Sequence, residues 1–235
     1  RILRGFTRAS TMTATSAAET RSQRVSRELR SLLVLATPII IAQLAHTAMG
    51  FVDTLMAGRV GPHDLAAVAL GNSIWVPVFL LMTGILLATT PKVAQRYGAA
   101  DESSIGPLVR QALWLAVVVG GGAAALLWNA EVVLHSMNVE PDLIEPSMGY
   151  LRAVACGFPA VALYHVLRCF SDGLGHTRPS MVIGIFGLML NIPLNYIFIY
   201  GKLGLPAMGG VGCGWATGLV MTFMFACMLV WVKWA

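Results

Sequence analysis

The stretch Leu32–Gly58 reads LLVLATPIIIAQLAHTAMGFVDTLMAG, and it indicates the fold class of the whole chain. It is longer than the roughly 20 apolar residues that an α-helix needs to cross a bilayer. Asp53 lies well inside it and is the only carboxylate within any long apolar segment. Because an ionised aspartate at bilayer depth costs on the order of 3 kcal/mol, such a residue is usually retained to bind something. A proton, a metal cation or a cationic ligand would each fit, and Asp53 becomes the centre of the functional hypothesis.

The composition indicates an integral membrane protein. The chain is 57% hydrophobic and 11% charged, whereas soluble domains carry about 25% charged residues. A soluble fold of 235 residues could not bury this much apolar surface, so lipids are its expected surroundings. Seven of the 16 lysines and arginines lie within the first 30 residues, and we attribute the net charge of +5 to topology. No basic patch interleaved with aromatic residues occurs, so we expect no nucleic-acid partner.

Apolar runs of bilayer length predict an all-α bundle of six transmembrane helices. Residues 1–31 are predicted to form a basic cytoplasmic segment, and residues 32–235 the helical bundle. Turn-forming Gly, Pro and Asp residues separate the runs. The predicted spans lie near residues 32–57, 66–90, 107–129, 147–170, 180–200 and 211–232.

The charges between the spans predict the orientation of the bundle. Basic residues occur in the N-terminal segment, around the second-to-third connection, and at Arg168 and Arg178 in the fourth-to-fifth connection. The third-to-fourth connection has acidic residues and no lysine or arginine. The positive-inside rule then places both ends of the bundle in the cytoplasm, and Asp53 in the outer half of the first helix.

Polar and small residues form a stripe beside Asp53 on the first span. We interpret this side as facing the bundle interior or water, where Asp53 could hold a proton and release it when a cation binds. In the alternative, Asp53 only bonds a neighbouring helix. His46 either shares the proton or is a satisfied interior histidine. The stripe consists of Gln43, His46, Thr47, Gly50, Asp53 and Thr54.

The fifth span contains the string Asn191-Ile192-Pro193-Leu194-Asn195. Its two amides, four residues apart, share one helix face, and Pro193 frees a backbone carbonyl one turn earlier. Amide and carbonyl oxygens beside a carboxylate are hard ligands that suit Na⁺ or a protonated network. Asn191 and Asn195 are therefore candidate partners of Asp53, with hydrogen bonding between helices as the alternative.

The sixth span begins with a glycine-rich run in which Gly210, Gly214 and Gly218 are spaced four residues apart. This spacing predicts close packing against another helix. Thr217, in the same run, is a possible additional oxygen ligand.

We expect no enzymatic activity and no cofactor other than a coupling ion. The nearest approach to the nucleophile motif of an intramembrane serine protease is Gly71-Asn72-Ser73-Ile74, and no histidine is placed convincingly for it.

Several strings together resemble the multidrug and toxic compound extrusion (MATE) family, in its NorM-like bacterial branch. They run from about residue 30 to the end of the chain. The matching strings are Ala36-Thr37-Pro38-Ile39, Met49-Gly50-Phe51-Val52-Asp53-Thr54, Met56-Ala57-Gly58, Asp64-Leu65-Ala66-Ala67-Val68-Ala69, Pro91-Lys92-Val93-Ala94-Gln95, Asp172-Gly173, Asn191-Ile192-Pro193-Leu194-Asn195 and Gly209-Gly210-Val211-Gly212-Cys213-Gly214.

The resemblance implies one six-helix lobe of a twelve-helix transporter in a bacterial inner membrane. It implies exchange of inward-moving H⁺ or Na⁺ for outward-moving cationic amphipathic drugs and dyes. The resemblance assigns Asp53, Asn191 and Asn195 to a cation site, with Thr217 as a weaker member. Pro38 corresponds to a family proline in a helix that bends. His46 departs from the glutamine expected at that position.

The resemblance also implies that a second lobe, or a second half, is the partner of this chain. We expect the chain to be truncated, with Met12 as a plausible start. A lipid-linked precursor flippase of the same superfamily is one alternative. A non-transporting six-helix membrane protein is the other.

Overall fold

The computed structural model describes residues 21–137, 139–202, 204 and 206–234. The described residues form eight α-helices and one short 3-10 turn at Glu102–Ser104. The helices are α1 (Arg21–Val60), α2 (Pro62–Leu87), α3 (Thr89–Gly98), α4 (Ile105–Trp128), α5 (Glu131–Ser136), α6 (Pro141–Gly173), α7 (Arg178–Tyr200) and α8 (Gly210–Trp234).

Six segments are long and apolar enough to cross a membrane, as the all-α prediction requires. They are longer than the predicted spans because polar residues at helix ends continue the helical backbone. The second segment differs most, since it runs to Gly98 as two helices that meet at Ala88. The segments are Ser26–Val60, Pro62–Gly98, Glu102–Trp128, Pro141–Gly173, Arg178–Tyr200 and Gly210–Trp234.

Two features of the connections differ from the sequence interpretation. Arg168 and Arg178 were assigned to a connection, but Arg168 is buried within α6 and Arg178 is the first residue of α7. Asp172 is one turn after Arg168, and a carboxylate oxygen of Asp172 lies 3.5 Å from the Arg168 Nε. This ion pair allows the guanidinium to be buried in the bundle. The short helix α5 was not predicted. Residues 1–20, including Met12, lie outside the described residues.

Helix α6 is the centre of the bundle. In the most apolar 18-residue stretch of α6, 72% of the residues are buried. In the corresponding stretches of the other five segments, 18% to 33% are buried. Both small and large aromatic residues of α6 are buried against the neighbouring helices. Among the aromatic ones, Tyr150, Phe158 and Tyr164 are fully buried. The other helices turn many leucine and valine side chains outward, as expected where the solvent is lipid.

The glycine run of α8 packs as predicted. A β-carbon on Gly214 would lie 2.6 Å from the carbonyl oxygen of Tyr150 and 2.9 Å from Ala153 Cβ. A β-carbon on Gly218 would lie 3.0 Å from the Ala153 oxygen. Only glycine permits this approach of α8 to α6, because the obstacles include backbone atoms that cannot rotate away.

Asp64 fixes the start of α8. Its Oδ1 accepts a hydrogen bond of 2.6 Å from the backbone N–H of Gly210, the first residue of that helix. Gly209 precedes it with a φ of 53°, a conformation that side chains other than glycine rarely adopt. A carboxylate at this position satisfies a free N–H group and favours the positive end of the helix dipole. It ties the start of α2 to the start of α8.

We expect Gly214→Ala to lower the stability of the bundle by about 1–3 kcal/mol, because the added methyl overpacks the α6–α8 contact. Gly122→Ala, in α4, is the matched control, since its β-carbon would meet nothing within 4 Å. Thermal unfolding in detergent measures both variants. Equal unfolding temperatures would contradict the close contact.

We expect Asp64→Ala to cost about 0.5–2 kcal/mol, since it removes the cap of α8. Asp142→Ala is the control, because Asp142 is an exposed acidic residue in the first turn of a different helix, α6. Hydrogen exchange at the first turn of α8 should accelerate only in Asp64→Ala. If exchange there is unchanged, Asp64 does not hold the helix start.

Candidate functional site

The Asp53 carboxylate lies where α1, α7 and α8 meet, and it is 3% exposed. Its Oδ1 accepts hydrogen bonds from the side-chain amides of Asn191, at 3.0 Å, and Asn195, at 2.6 Å. Its Oδ2 accepts a hydrogen bond of 3.0 Å from the Thr217 hydroxyl. The structure thus brings together all four residues predicted for the cation site.

Local sequence explains how each helix presents its donor. Asn191 and Asn195 are one turn apart on α7, so both amides reach the same carboxylate oxygen. Pro193 lies between them inside the helix, where it cannot donate a backbone hydrogen bond. On α8, Thr217 lies one turn after Cys213, whose thiol donates to the backbone carbonyl of Asp53 at 3.6 Å. The α1 backbone is therefore held as well as the side chain.

The amide oxygens of Asn191 and Asn195 are buried and have no hydrogen-bond partner among the described residues. Buried polar atoms are nearly always paired, so two orphaned oxygens beside one carboxylate are unusual. Both amides direct their nitrogens to the carboxylate, an arrangement that suits its ionised form, because an ionised carboxylate only accepts hydrogen bonds. These oxygens are the ligand atoms that would turn inward if a cation or proton joined the carboxylate.

The carboxylate opens onto a cavity of about 360 Å³. Aromatic and thioether side chains form much of its wall, including Trp75, Phe79 and Met224. Among the described residues that line it, Asp53 is the only acidic one, and none is lysine or arginine. The cavity thus presents one carboxylate among apolar and amide groups.

Some of the remaining predicted residues line this cavity, and others do not. Gln43, His46 and Thr47 line the cavity, so this part of the α1 stripe faces the interior as predicted. Thr54 is not among the described residues that line the cavity. Its hydroxyl donates to the Gly50 carbonyl of its own helix at 2.9 Å, as the Thr47 hydroxyl does to the Gln43 carbonyl at 3.1 Å. Pro38 is buried inside α1, about four helical turns before Asp53, and is a candidate bending point rather than part of the cavity wall.

Sequence reasoning missed a second polar group beside the site. The indole N–H of Trp75 lies 2.7 Å from the side-chain oxygen of Asn72 and 3.0 Å from the Tyr150 hydroxyl. The Tyr150 hydroxyl donates to the same Asn72 oxygen, at 2.8 Å. An asparagine within a predicted span was the available signal, since polar side chains there need partners. This group joins α2 to α6 and supplies part of the cavity wall.

His46 belongs to a ring cluster that the sequence also did not reveal. Its ring centroid is 6.5 Å from that of His165 and 6.3 Å from that of Tyr164. The Nε2 atoms of both histidines and the Tyr164 hydroxyl are buried, and the part of the chain that the structure describes offers them no hydrogen-bond partner. His46 therefore connects the Asp53 cavity with polar groups inside α6.

Ser73 belongs to the string that comes nearest to a nucleophile motif. Its hydroxyl is exposed and donates to the carbonyl of Leu70 at 2.7 Å.

Comparison with curated proteins identifies close relatives. Over 214 residues the chain is 66% identical to "Multidrug resistance protein PmpM" of Pseudomonas aeruginosa, covering 91% of this chain and 45% of the relative. Over 212 residues it is 51% identical to "Multidrug resistance protein MdtK" of Klebsiella pneumoniae, covering 90% of this chain and 46% of the relative. The chain therefore spans about half the length of these relatives.

Solved structures show the same architecture. A crystal structure of a MATE protein in its bent conformation matches with a TM-score of 0.80 at 25% identity, covering 91% of this chain and 48% of that one. An outward-facing MATE family transporter matches with a TM-score of 0.78 at 25% identity, covering 86% and 44%. The MatE family model matches residues 38–197, which contain Asp53, Asn191 and Asn195. The six long apolar helices and the multidrug-resistance relatives show that the chain is a multi-pass membrane protein. The match to the family model shows that it belongs to the MatE family.

Proposed function

We propose that this chain is the N-terminal lobe of a cation-coupled multidrug efflux antiporter in a bacterial inner membrane. H⁺ or Na⁺ enters, and cationic amphipathic drugs or dyes leave. The observation that carries the proposal is the buried Asp53 carboxylate, held by three polar side chains from α7 and α8 and open to the cavity. No catalytic role follows from this arrangement.

Two arrangements of the same side chains provide the coupling. With the carboxylate ionised, Asn191 and Asn195 present their amide N–H groups to it. When a proton or Na⁺ joins the carboxylate, rotation of the amides brings their oxygens inward to accept from the proton or to ligate the ion. Loading therefore changes the bonds that tie α1 to α7 and α8. Pro38 gives α1 a point at which it bends in response.

The cavity wall suits an organic cation. Asp53 supplies the negative charge, while Trp75 and Phe79 offer aromatic faces that attract cations. A drug cation and a coupling ion would thus compete for one carboxylate. Antiport requires such competition, because the two ligands must not remain bound together.

Charge placement supports a cytoplasmic N-terminus. The connection that holds α5 is flanked by acidic residues, while α3 carries Lys92 and Arg96 at the opposite end of the bundle. The relatives' greater length supports a second lobe as the partner that closes the cavity.

The cavity argues against a lipid-linked precursor flippase, the first alternative. A phosphorylated headgroup calls for lysine or arginine, and neither lines the cavity within the described residues. The second alternative, a lobe that does not transport, is decided by the experiments below.

Infrared spectroscopy of the purified lobe tests ion binding without needing transport. We expect a protonated-carboxyl band that disappears as Na⁺ is added or as the pH is raised. Asp53→Asn should lack this band, whereas Asp142→Asn, altered at an exposed residue, should retain it. A band that persists in Asp53→Asn would assign the proton to another carboxyl group and contradict the site.

Efflux tests the transport proposal separately. The chain is produced in drug-sensitive bacteria together with the second half of a relative, and extrusion of a cationic dye is followed under an imposed H⁺ or Na⁺ gradient. We expect Asp53→Asn to lower the gradient-driven rate at least about tenfold, because that variant has no ionisable group at the site. Asp142→Asn should transport normally. Equal rates in both variants would sink the coupling role of Asp53, and no efflux from any variant would favour the non-transporting alternative.

A further inference from the structure

A second cavity, of about 820 Å³, lies at the end of the bundle opposite the α1–α2 turn. It is bounded by the first turns of α4, the end of α6 and the last turn of α8. Its deeper wall is apolar and includes Val109, Leu113 and Phe170. The Asp53 cavity shares none of these residues, so this is a separate feature of the lobe.

Two cations that have no partner among the described residues line this cavity. They are Arg110 on α4 and Lys233 on α8. Within the described part of the chain, neither forms an ion pair or a hydrogen bond through its side chain. Two other basic groups of the described chain are paired with carboxylates, Arg96 with Asp101 and Arg168 with Asp172. Arg96, for example, lies 2.7 Å from Asp101, and hydrogen bonds from Ser104 and Arg96 lower the pKa of Asp101 to about 2.

The depth of these residues matches the headgroup region of a bilayer. Arg110 is five residues after the start of α4, or about 8 Å along the helix, and Lys233 is in the last turn of α8. Two aromatic residues of the interfacial type, Tyr97 and Trp234, line the same cavity and are 37% and 88% exposed. The cations therefore lie near the ends of two candidate membrane spans, which is the level expected for lipid phosphates.

The apolar wall continues from the cations toward the membrane interior. Val109 and Leu113 are four residues apart on one face of α4, and Val232 lies on the facing part of α8. A phosphate at Arg110 and Lys233 would thus have apolar surface below it for an acyl chain. His176, whose ring centroid is 6.2 Å from that of Trp231, and Glu102 complete the polar rim.

We propose that this cavity binds an anionic phospholipid. Arg110 and Lys233 hold its phosphate, and an acyl chain lies along α4 and α8. The two unpaired cations outnumber the single carboxylate, Glu102, which favours a lipid with net negative charge over a zwitterionic one. The site depends on the chain spanning a membrane and is independent of transport, so it stands or falls separately from the antiporter proposal.

Native mass spectrometry of the 235-residue chain in neutral detergent tests the site. Phosphatidylglycerol, phosphatidylcholine and soluble glycerol phosphate are the probes. We expect retained phosphatidylglycerol adducts, and weakening of their affinity by about 30-fold in the double variant Arg110→Gln/Lys233→Gln. The control is Arg59→Gln/Lys202→Gln, which removes two exposed cations at the opposite end of the bundle.

Glu102→Gln separates a lost site from a misfolded protein, because it should strengthen phosphatidylglycerol binding by removing a like charge. Equal retention of phosphatidylcholine would overturn the proposal, since ordinary lipid contact would then explain the adducts. Competition by glycerol phosphate at similar concentrations would assign the cations to a free phosphate compound instead of a lipid. Equal loss in the two double variants would also overturn it.

Discussion

The hydrogen bonds between the Asp53 carboxylate and the side chains of α7 and α8 are the constraint on which the rest of the lobe depends. A carboxylate that is 3% exposed must be paired, and its partners come from helices more than 130 residues away along the chain. This requirement fixes the rotation of α1 about its axis. That rotation in turn places Gln43, His46 and Thr47 on the cavity wall.

Close packing around α6 makes this arrangement possible. Glycines at Gly214 and Gly218 let α8 approach α6, and the Asp64 carboxylate holds the first residue of α8. Without the short distance between α6 and α8, Thr217 would not be held at the carboxylate. The glycine run and the polar site are thus two parts of one structural solution. The small residues determine the helix spacing, and the polar residues determine the helix rotation.

The polar groups of the lobe lie either inside the bundle, next to one another, or at its ends. Asn72, Trp75 and Tyr150 satisfy one another beside the cavity, whereas the Nε2 atoms of His46 and His165 have no partner within the described ranges. In lipid, a helix cannot turn such atoms outward. These atoms therefore lie inside the bundle, where His46 lines the cavity and the His165 ring centroid lies 6.5 Å from that of His46. Arg110 and Lys233, at the membrane surface, remain accessible from outside the bundle.

The sequence by itself determined the all-α membrane class, because composition and the length of apolar runs select helices wherever the backbone has no water to bond. It also predicted the packing glycines and the four residues at the Asp53 site, since a carboxylate and paired amides within apolar spans are few enough to match with one another. Orientation and the identity of the coupling ion remain predictions. Helix ends were less predictable, as the continuation of the second span to Gly98 shows, because polar residues at the membrane surface do not stop a helix.

Only the tertiary structure decided which side chains meet. His165, Tyr164 and Tyr150 lie on α6, and nothing in their local sequence specifies which atoms of α1 or α2 they face. The sequence assigns Arg168 to a connection, whereas in the structure its side chain is buried and paired with Asp172. The second cavity, which residues from α4, α6 and α8 line together, has the same origin. The pattern of apolar residues indicates whether a residue faces lipid, water or the interior. Contacts between distant helices depend instead on the packing of the whole bundle.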